Sequence, residues 1–331
     1  MDLNKIPKIE LHCHLDGSVR PSTILDIADK DNIDIPTNDI DELKKYITAP
    51  KECHSLDEYL ATFDIANKVM QTKENIKRIA YELLEDVSKY NVKYIEMRFA
   101  PLFHMAKGLK FDEIVQSVLD GIKEAESKFD VRANVILCCM RHMSADDAIF
   151  VIEEGKKFLE KGVVAVDLAG SESLYPPEKF KEAFDLAKSY GYNITIHAGE
   201  TGIGENVFKS IEMLHAQRIG HGVFAKDCTK SYQMLKDMGV TLEMCPTSNV
   251  QTKAVNAYEE HPIKDFLDDD IRISVNTDNM TVSDIDLDRE FEILSEVKNL
   301  TEEDFKRIYL YSVDASFASD EVKEELRKYV D

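Results

Sequence analysis

The sequence predicts a (β/α)8 TIM barrel with a helical insertion after the first strand and C-terminal helices, and three observations carry that expectation. Eight short runs rich in apolar and β-branched residues recur along the 331 residues, separated by longer stretches of helical period. Several of these runs are apolar at most positions instead of alternating, as strands are when helices cover one face and a filled barrel interior the other. No Gly-rich GxGxxG or GxxxxGKS/T turn follows the first run, which disfavours the open, doubly wound sheet.

The runs read in order as strands over Lys8–His14, Val92–Phe99, Arg132–Met140, Val163–Leu168, Asn193–His197, Arg218–Gly220, Thr241–Met244 and Arg272–Asn276. The stretch between the first two is much longer than one crossover helix, so an insertion of helices is expected over about residues 21–85. Within it, Ser55-Leu-Asp-Glu58 has the spacing of a capping box and predicts a helix start. That helix would carry Leu56, Tyr59, Leu60, Phe63, Ala66, Val69 and Met70 along one side at a 3.6-residue period. Such a stripe suits ordinary packing on the barrel, or a lid over a site. After Asp286 the chain is strongly charged with helical period, closing the barrel. No low-complexity tract or Pro-rich linker divides it, so residues 1–331 are expected to form one domain.

Composition narrows the function. Asp and Glu outnumber Lys and Arg by 63 to 41, a formal charge of −22 whose field repels phosphate backbones and anionic lipid, so nucleic acid is not expected as a partner. No apolar run approaches the roughly 20 residues of a membrane helix. The six cysteines show neither CxxC pairing nor the density of a disulfide scaffold, which suggests reduced thiols. With no basic, apolar leader and candidate metal ligands from His12 onward, a cytoplasmic protein is expected.

The chemistry is suggested by where the polar residues fall. His12 and His14 end the first run, His197 the fifth and His221 the sixth, and Asp278 follows the eighth. In a barrel these C-terminal strand ends converge on one face, where active sites sit. His12 and His14 are two apart in a strand and point to the same face, where desolvating two imidazoles is costly without a metal or polar partners. Adding His197 and Asp278 gives an N/O set that suits one Zn2+ per chain with a position left for water. Glu200, three residues after His197, is placed to reach the pocket as a proton donor. His221, flanked by glycines, is placed to orient or deprotonate the water. Each also has a bland reading, Glu200 as a surface or helix-capping carboxylate and His221 as a structural histidine. His54, His104, His142, His215 and His261 are weaker candidates, and Cys245, lacking a partner cysteine, reads as packing.

Seven ordered motifs then carry a resemblance over nearly the whole chain. They are Glu10-Leu-His-Cys-His-Leu-Asp-Gly17, Tyr94-Ile-Glu-Met-Arg98, Asp167-Leu-Ala-Gly170, His197-Ala-Gly-Glu200, Arg218-Ile-Gly-His-Gly222, Cys245-Pro-Thr-Ser-Asn249 and Asn276-Thr-Asp278. The chain resembles the adenosine deaminase family of the metal-dependent amidohydrolase superfamily. The resemblance implies His12, His14, His197 and Asp278 as zinc ligands, Glu200 as the acid that protonates purine N1, and His221 as the residue that positions and activates the attacking water. It further implies Gly170 as a backbone donor to N3, Asp16 as acceptor of a ribose hydroxyl, and Tyr59 and Phe63 as aromatic residues of a helix covering the pocket. A purine nucleoside is then the expected small-molecule partner, with conversion of adenosine, and 2'-deoxyadenosine, to inosine and ammonia in purine salvage.

Departures from the family pattern bear on substrate choice. Asn279 stands where many members have a second aspartate that meets N7; an amide NH2 donates to N7 at any pH. Asp16 stands where the adenine deaminase branch typically carries Glu, which favours the nucleoside over the free base. Ser171 and Tyr311-Ser312 replace commoner residues without removing a ligand or proton carrier. Deamination of another 6-aminopurine and a catalytically inactive zinc- or purine-binding protein are the alternatives. The presence of both Glu200 and His221 speaks against the second.

Overall fold

The computed structural model describes residues 3–50, 53 and 55–330. Eight parallel strands follow one another around a single sheet in sequence order: β1 (Lys8–His14), β2 (Val92–Phe99), β3 (Arg132–Met140), β4 (Val163–Ala169), β5 (Asn193–Ala198), β6 (Arg218–His221), β7 (Thr241–Met244) and β8 (Ile273–Val275). The ring is closed by backbone hydrogen bonds between β1 and the residue just beyond β8: His14 N donates to Asp278 O at 2.7 Å, and Asp278 N to His12 O at 2.9 Å. Helices surround this nearly closed barrel, making it the (β/α)8 architecture the sequence predicts.

The strands lie where the apolar runs place them, with small differences at their ends. The clearest is β8, shorter than the Arg272–Asn276 expectation. At Asn276 a side chain joins the ladder: its Nδ2 donates to Met244 O, and its Oδ1 accepts from Leu11 N. An amide that bonds the backbone in this way competes with regular strand pairing.

Among the described residues, five α-helices stand between β1 and β2: α1 (Pro21–Asp31), α2 (Ile40–Ile47), α3 (Leu56–Leu60), α4 (Asp64–Val69) and α5 (Lys73–Lys89). Asp39 caps α2 by accepting from Glu42 N, and Thr72 caps α5 by accepting from Asn75 N. At the expected start of α3, Glu58 N donates to Ser55 Oγ at 3.3 Å. The helix does not run on through Met70 as its periodicity suggests. A 3-10 turn over Ala61–Phe63 interrupts it, and there Thr62 Oγ1 donates to Tyr59 O at 2.7 Å, diverting a carbonyl from the helical ladder. The apolar stripe is thereby split between two tasks. Leu56, Tyr59, Leu60 and Phe63 face a cavity, while Ala66, Val69 and Met70 enter the hydrophobic core.

The barrel interior is not purely apolar. Arg98 donates to Asp167 Oδ2 at 2.9 Å, to Glu243 Oε2 at 2.7 Å and to Leu11 O at 2.6 Å. Arg218 bridges Glu243 Oε1 and Glu96 Oε2, at 2.7 and 2.6 Å, and all five charged residues are buried. Buried charges survive only when paired and hydrogen-bonded, and here they form a rigid layer beneath the C-terminal strand ends.

Candidate active site

Above the charged layer lies a cavity of about 460 Å3, partly roofed by α3 and the turn that follows. Of the eleven residues singled out in the sequence, His14, Asp16, Tyr59, Phe63, Gly170, His197, Glu200, His221, Asp278 and Asn279 line it. His12 lies at its floor, fully buried, with its ring 4.5 Å from that of His197 and 4.9 Å from that of His221.

Five possible ligand residues crowd one point. Donor atoms of His12, His197, His221 and Asp278 fall within 4.8 Å of one another. His14 Nε2 lies 3.2 Å from His197 Nε2 and 3.5 Å from Asp278 Oδ1. The groups behind the rings differ. His12 Nδ1 meets Glu243 at 2.8 Å and His197 Nδ1 meets Asp167 at 2.9 Å. Each carboxylate accepts the Nδ1 hydrogen and leaves the Nε2 lone pair facing the cluster, the arrangement found behind metal-ligating histidines. His12 Nε2 is buried with no hydrogen-bond partner, 3.3 Å from Asp278 Oδ1, an orphaned atom that a cation would satisfy. Behind His221 stands an amide instead: Asn249 Nδ2 is 3.0 Å from His221 Nδ1.

Burial holds the pKa of His14, His197 and His221 below the ordinary imidazole range, so these rings are neutral. Burial pushes the Asp278 carboxyl up, but the neighbouring His12, whose Nε2 lies 3.3 Å from Oδ1, and the imidazoles beyond it outweigh burial and hold its pKa below the carboxylate range, so it is ionised. Ser248 Oγ donates to Asp278 Oδ2 at 2.6 Å and fixes its rotation. His221 and Asp278 both adopt left-handed backbone, φ 62° and 60°, a conformation non-glycine residues hold only where the surroundings enforce it.

Glu200 is the contrasting carboxyl. Burial first, then the charges of Asp278 and Glu172, raise its pKa well above the carboxylate range, so it is protonated at neutral pH. Its Oε2 sits 3.7 Å from His221 Nε2. The loop that carries it is pinned by Glu172, whose carboxylate accepts from Gly199 N at 3.0 Å, Glu200 N at 2.7 Å, Thr201 N at 2.8 Å and Asn206 Nδ2 at 2.9 Å. Arg141 Nη2 donates to His197 O at 2.8 Å and braces the preceding residue pair.

Asp16 is 5% exposed, its Oδ1 has no hydrogen-bond partner, and burial raises its pKa to about 7. Gly170 follows β4 at φ 99°, a left-handed conformation suited to glycine. Asn279 Nδ2 donates to Tyr59 Oη at 2.9 Å, and Tyr59 Oη lies 2.6 Å from Ser283 Oγ. One N–H of that amide is therefore committed to the roof, and only the other is left for a bound molecule.

Of the weaker histidines, His142 reaches the cavity rim, stacked on Phe103. His104 is buried against Phe99, and His215 pairs with Asp185 at 2.7 Å near the surface. His261 is buried and bonded to Asn249, and His54 lies outside the described residues. Glu172, Glu243, Asp167, Ser248 and Asn249 were given no role from sequence. A lone carboxylate inside the short buried run Thr241–Met244 was a legible signal, because it demands a partner.

A parallel barrel whose strand ends gather imidazoles, an ionised carboxylate and a buried neutral acid around one cavity defines a hydrolase of the amidohydrolase superfamily. The comparisons with known proteins narrow this. The adenosine deaminase family matches residues 7–331, and the chain belongs to that family as a deaminating hydrolase. It is 56% identical over 331 residues to an adenosine deaminase of Clostridium botulinum, covering 100% of both chains. An adenine deaminase from Arthrobacter aurescens superposes with a TM-score of 0.91 at 28% identity, over 98% of each chain. An Arabidopsis N6-mAMP deaminase does so with 0.88 at 26% identity, over 99% of this chain and 98% of that one.

Proposed function

We propose that this chain catalyses the zinc-dependent hydrolytic deamination of adenosine, and of 2'-deoxyadenosine, to inosine and ammonia, serving purine salvage in the cytoplasm. The observation that carries the reading is the convergence on one cavity of an imidazole–carboxylate cluster around Asp278 and of Glu200, whose Oε2 lies 3.7 Å from His221 Nε2, with burial pushing the Glu200 carboxyl up and the imidazoles holding Asp278 down. Environments that push two carboxyls apart assign one to donate a proton and the other to hold charge.

His12, His14, His197 and Asp278 would hold one Zn2+, which suits three imidazoles and a carboxylate. Bound there, the ion supplies a water pKa lowered to about 7. Glu200 delivers its proton to purine N1, which draws electron density from C6 and opens it to attack by water. His221 holds the attacking water in line with C6. The C–N bond of the tetrahedral carbon then breaks and the amino group leaves as ammonia with one proton of the attacking water; the other water proton restores Glu200, and the oxygen remains on the ring.

Binding rests on the cavity wall. Asp16, with an oxygen that no protein group satisfies, accepts a ribose hydroxyl. That unpartnered atom favours the nucleoside over the free base, because adenine would leave it unpaired. Gly170 offers its N–H to N3, and the free N–H of Asn279 reaches N7. Tyr59 and Phe63 cover the base and exclude bulk water from the reacting atoms. No helix among the described residues is long and apolar enough to cross a membrane.

The test is a paired assay on the purified protein: metal content by elemental analysis, and the fall in adenosine absorbance before and after chelation. One zinc per chain with chelator-sensitive turnover is expected. Zinc without adenosine turnover redirects the reading to other 6-aminopurines, and a metal-free protein with full activity overturns the ligand set.

A further inference from the structure

Behind His221 runs a chain of hydrogen bonds that begins at a backbone N–H and whose direction is fixed at every link. Ile263 N lies 3.3 Å from His261 Nδ1 and, as an amide, it only donates. His261 Nδ1 must therefore accept, which places the hydrogen of this neutral ring on Nε2. That nitrogen lies 3.1 Å from the side chain of Asn249, so the Asn249 atom facing it is the oxygen. The other end of the amide, 3.0 Å from His221 Nδ1, is then the NH2 group. An NH2 donates, so His221 Nδ1 accepts, and its ring carries its own hydrogen on Nε2, toward the cavity. His261, Asn249 and His221 are all buried, with His261 1% exposed, so water does not interrupt the sequence. Burial holds the pKa of His261 down to about 3, consistent with a neutral ring.

We propose that Asn249 and His261 are positioning residues that lock His221 as its Nε2–H tautomer, so that it acts as a hydrogen-bond donor toward the attacking oxygen and is withheld from metal ligation. The inference rests on the deaminase reading for the identity of that oxygen, but the tautomer itself follows from the hydrogen bonds alone. It separates His221 from two neighbours of similar placement. His12 and His197 have carboxylates behind Nδ1 and present Nε2 lone pairs. His221 has an amide NH2 behind Nδ1 and presents an N–H. Of the four residues whose donor atoms meet within 4.8 Å, His221 is thus the one unsuited to bind a cation through its inward nitrogen. An N–H at that position accepts no proton from water; it aims a lone pair of the oxygen at the carbon to be attacked. The motif Cys245-Pro-Thr-Ser-Asn249 gains a purpose here, because the helix Pro246–Gln251 that it begins presents Ser248 to Asp278 and Asn249 to His221 from adjacent positions.

The test is nitrogen NMR of the full-length, 15N-histidine-labelled protein as purified, with the ring of residue 221 identified by its loss in His221→Gln. The expected wild-type spectrum shows a protonated Nε2 and a pyridine-type Nδ1 for this ring. A ring with the hydrogen on Nδ1 overturns the proposal. In Asn249→Asp a carboxylate replaces the donor, and the tautomer should invert, with kcat down about 10- to 100-fold, KM little changed and metal content intact. His261→Gln keeps a donor toward Asn249 and should retain most of the turnover, whereas His261→Leu frees the amide to rotate and should resemble Asn249→Asp. Equal activity in the Gln and Leu variants with an unchanged ring-221 tautomer also overturns the relay. Should the Asn249 variant fail to fold, the wild-type spectrum alone decides. A chain with the Nε2–H form but no adenosine turnover upholds the relay and sinks adenosine as the substrate; adenosine turnover with the Nδ1–H form does the reverse.

Discussion

Replacing Glu172 with Gln removes one charge and almost no volume, yet it strikes the loop that carries the candidate acid. The carboxylate collects donors on both oxygens: Glu200 N, Thr201 N and Thr201 Oγ1 on Oε1, Gly199 N and Asn206 Nδ2 on Oε2. Gln keeps only one oxygen. Its less costly orientation puts NH2 in the place of Oε2, where two buried donors then face a donor. At about 1–3 kcal/mol for each buried group left unsatisfied, the loss is about 2–6 kcal/mol. An unfolding entropy of about 2.1 cal/mol/K per residue over this chain makes that a fall in Tm of about 3–9 °C. Activity should fall further, because a displacement of Glu200 on the order of 1 Å costs about 10²-fold in kcat. Losing the Glu172 charge also removes one of the influences that keep Glu200 protonated, so the alkaline limb of the kcat/KM profile should move to lower pH. The assay is a thermal melt beside steady-state adenosine absorbance across pH. A Glu172→Gln protein with wild-type Tm, kcat and alkaline limb would refute the assignment of this carboxylate as the anchor of the loop.

Three further outcomes follow from the geometry. Glu200→Gln should leave metal content intact and lower kcat by about 10²-fold or more, as checked by elemental analysis and absorbance; full activity removes Glu200 from the chemistry. Gly17→Ala would place a Cβ 1.8 Å from Asn279 Oδ1, so that side chain must turn away and release Tyr59; KM should rise about tenfold, the scale of one lost buried hydrogen bond, with zinc content unchanged. Glu290, which accepts from Thr247 N, has its pKa raised by burial to about 8. Folding therefore opposes its ionisation, and wild-type stability declines as pH climbs from about 4.5 to about 8. Glu290→Gln does not titrate, so its stability advantage should be absent near pH 4.5 and grow to at most about 5 kcal/mol above pH 8, measured by denaturant melts.

The strands were legible because a strand buried on both faces writes itself as a short apolar run, and the site was legible because barrel strands end on one face. What escaped the reading depends on pairing in three dimensions. Arg98 and Glu243 are 145 positions apart, and neither residue alone announces the other. Glu172 looks like a surface loop carboxylate until five donors are found around it. His261 is a weak candidate by sequence because its value lies in the direction of a hydrogen bond, which spacing does not encode. The periodicity from Leu56 onward is unbroken and predicts one helix; the interruption comes from one hydroxyl, Thr62, reaching back to a carbonyl. Nothing in the sequence around Asn279 shows that Tyr59 takes one hydrogen of its amide.

The backbone of Asp278 supplies the bonds that join the last strand to the first, and its side chain stands among the imidazoles. The circle of strands and the reaction centre therefore come into being in one event. That event joins segments far apart in sequence, with Leu11 meeting Asn276 across 265 positions, and such contacts carry a heavy ordering cost and form late. During refolding, helical signal and the early strands should return first, with deamination lagging until the ends meet. Enzymatic activity thus serves as a clock for the final step of folding, read out without any label on the protein.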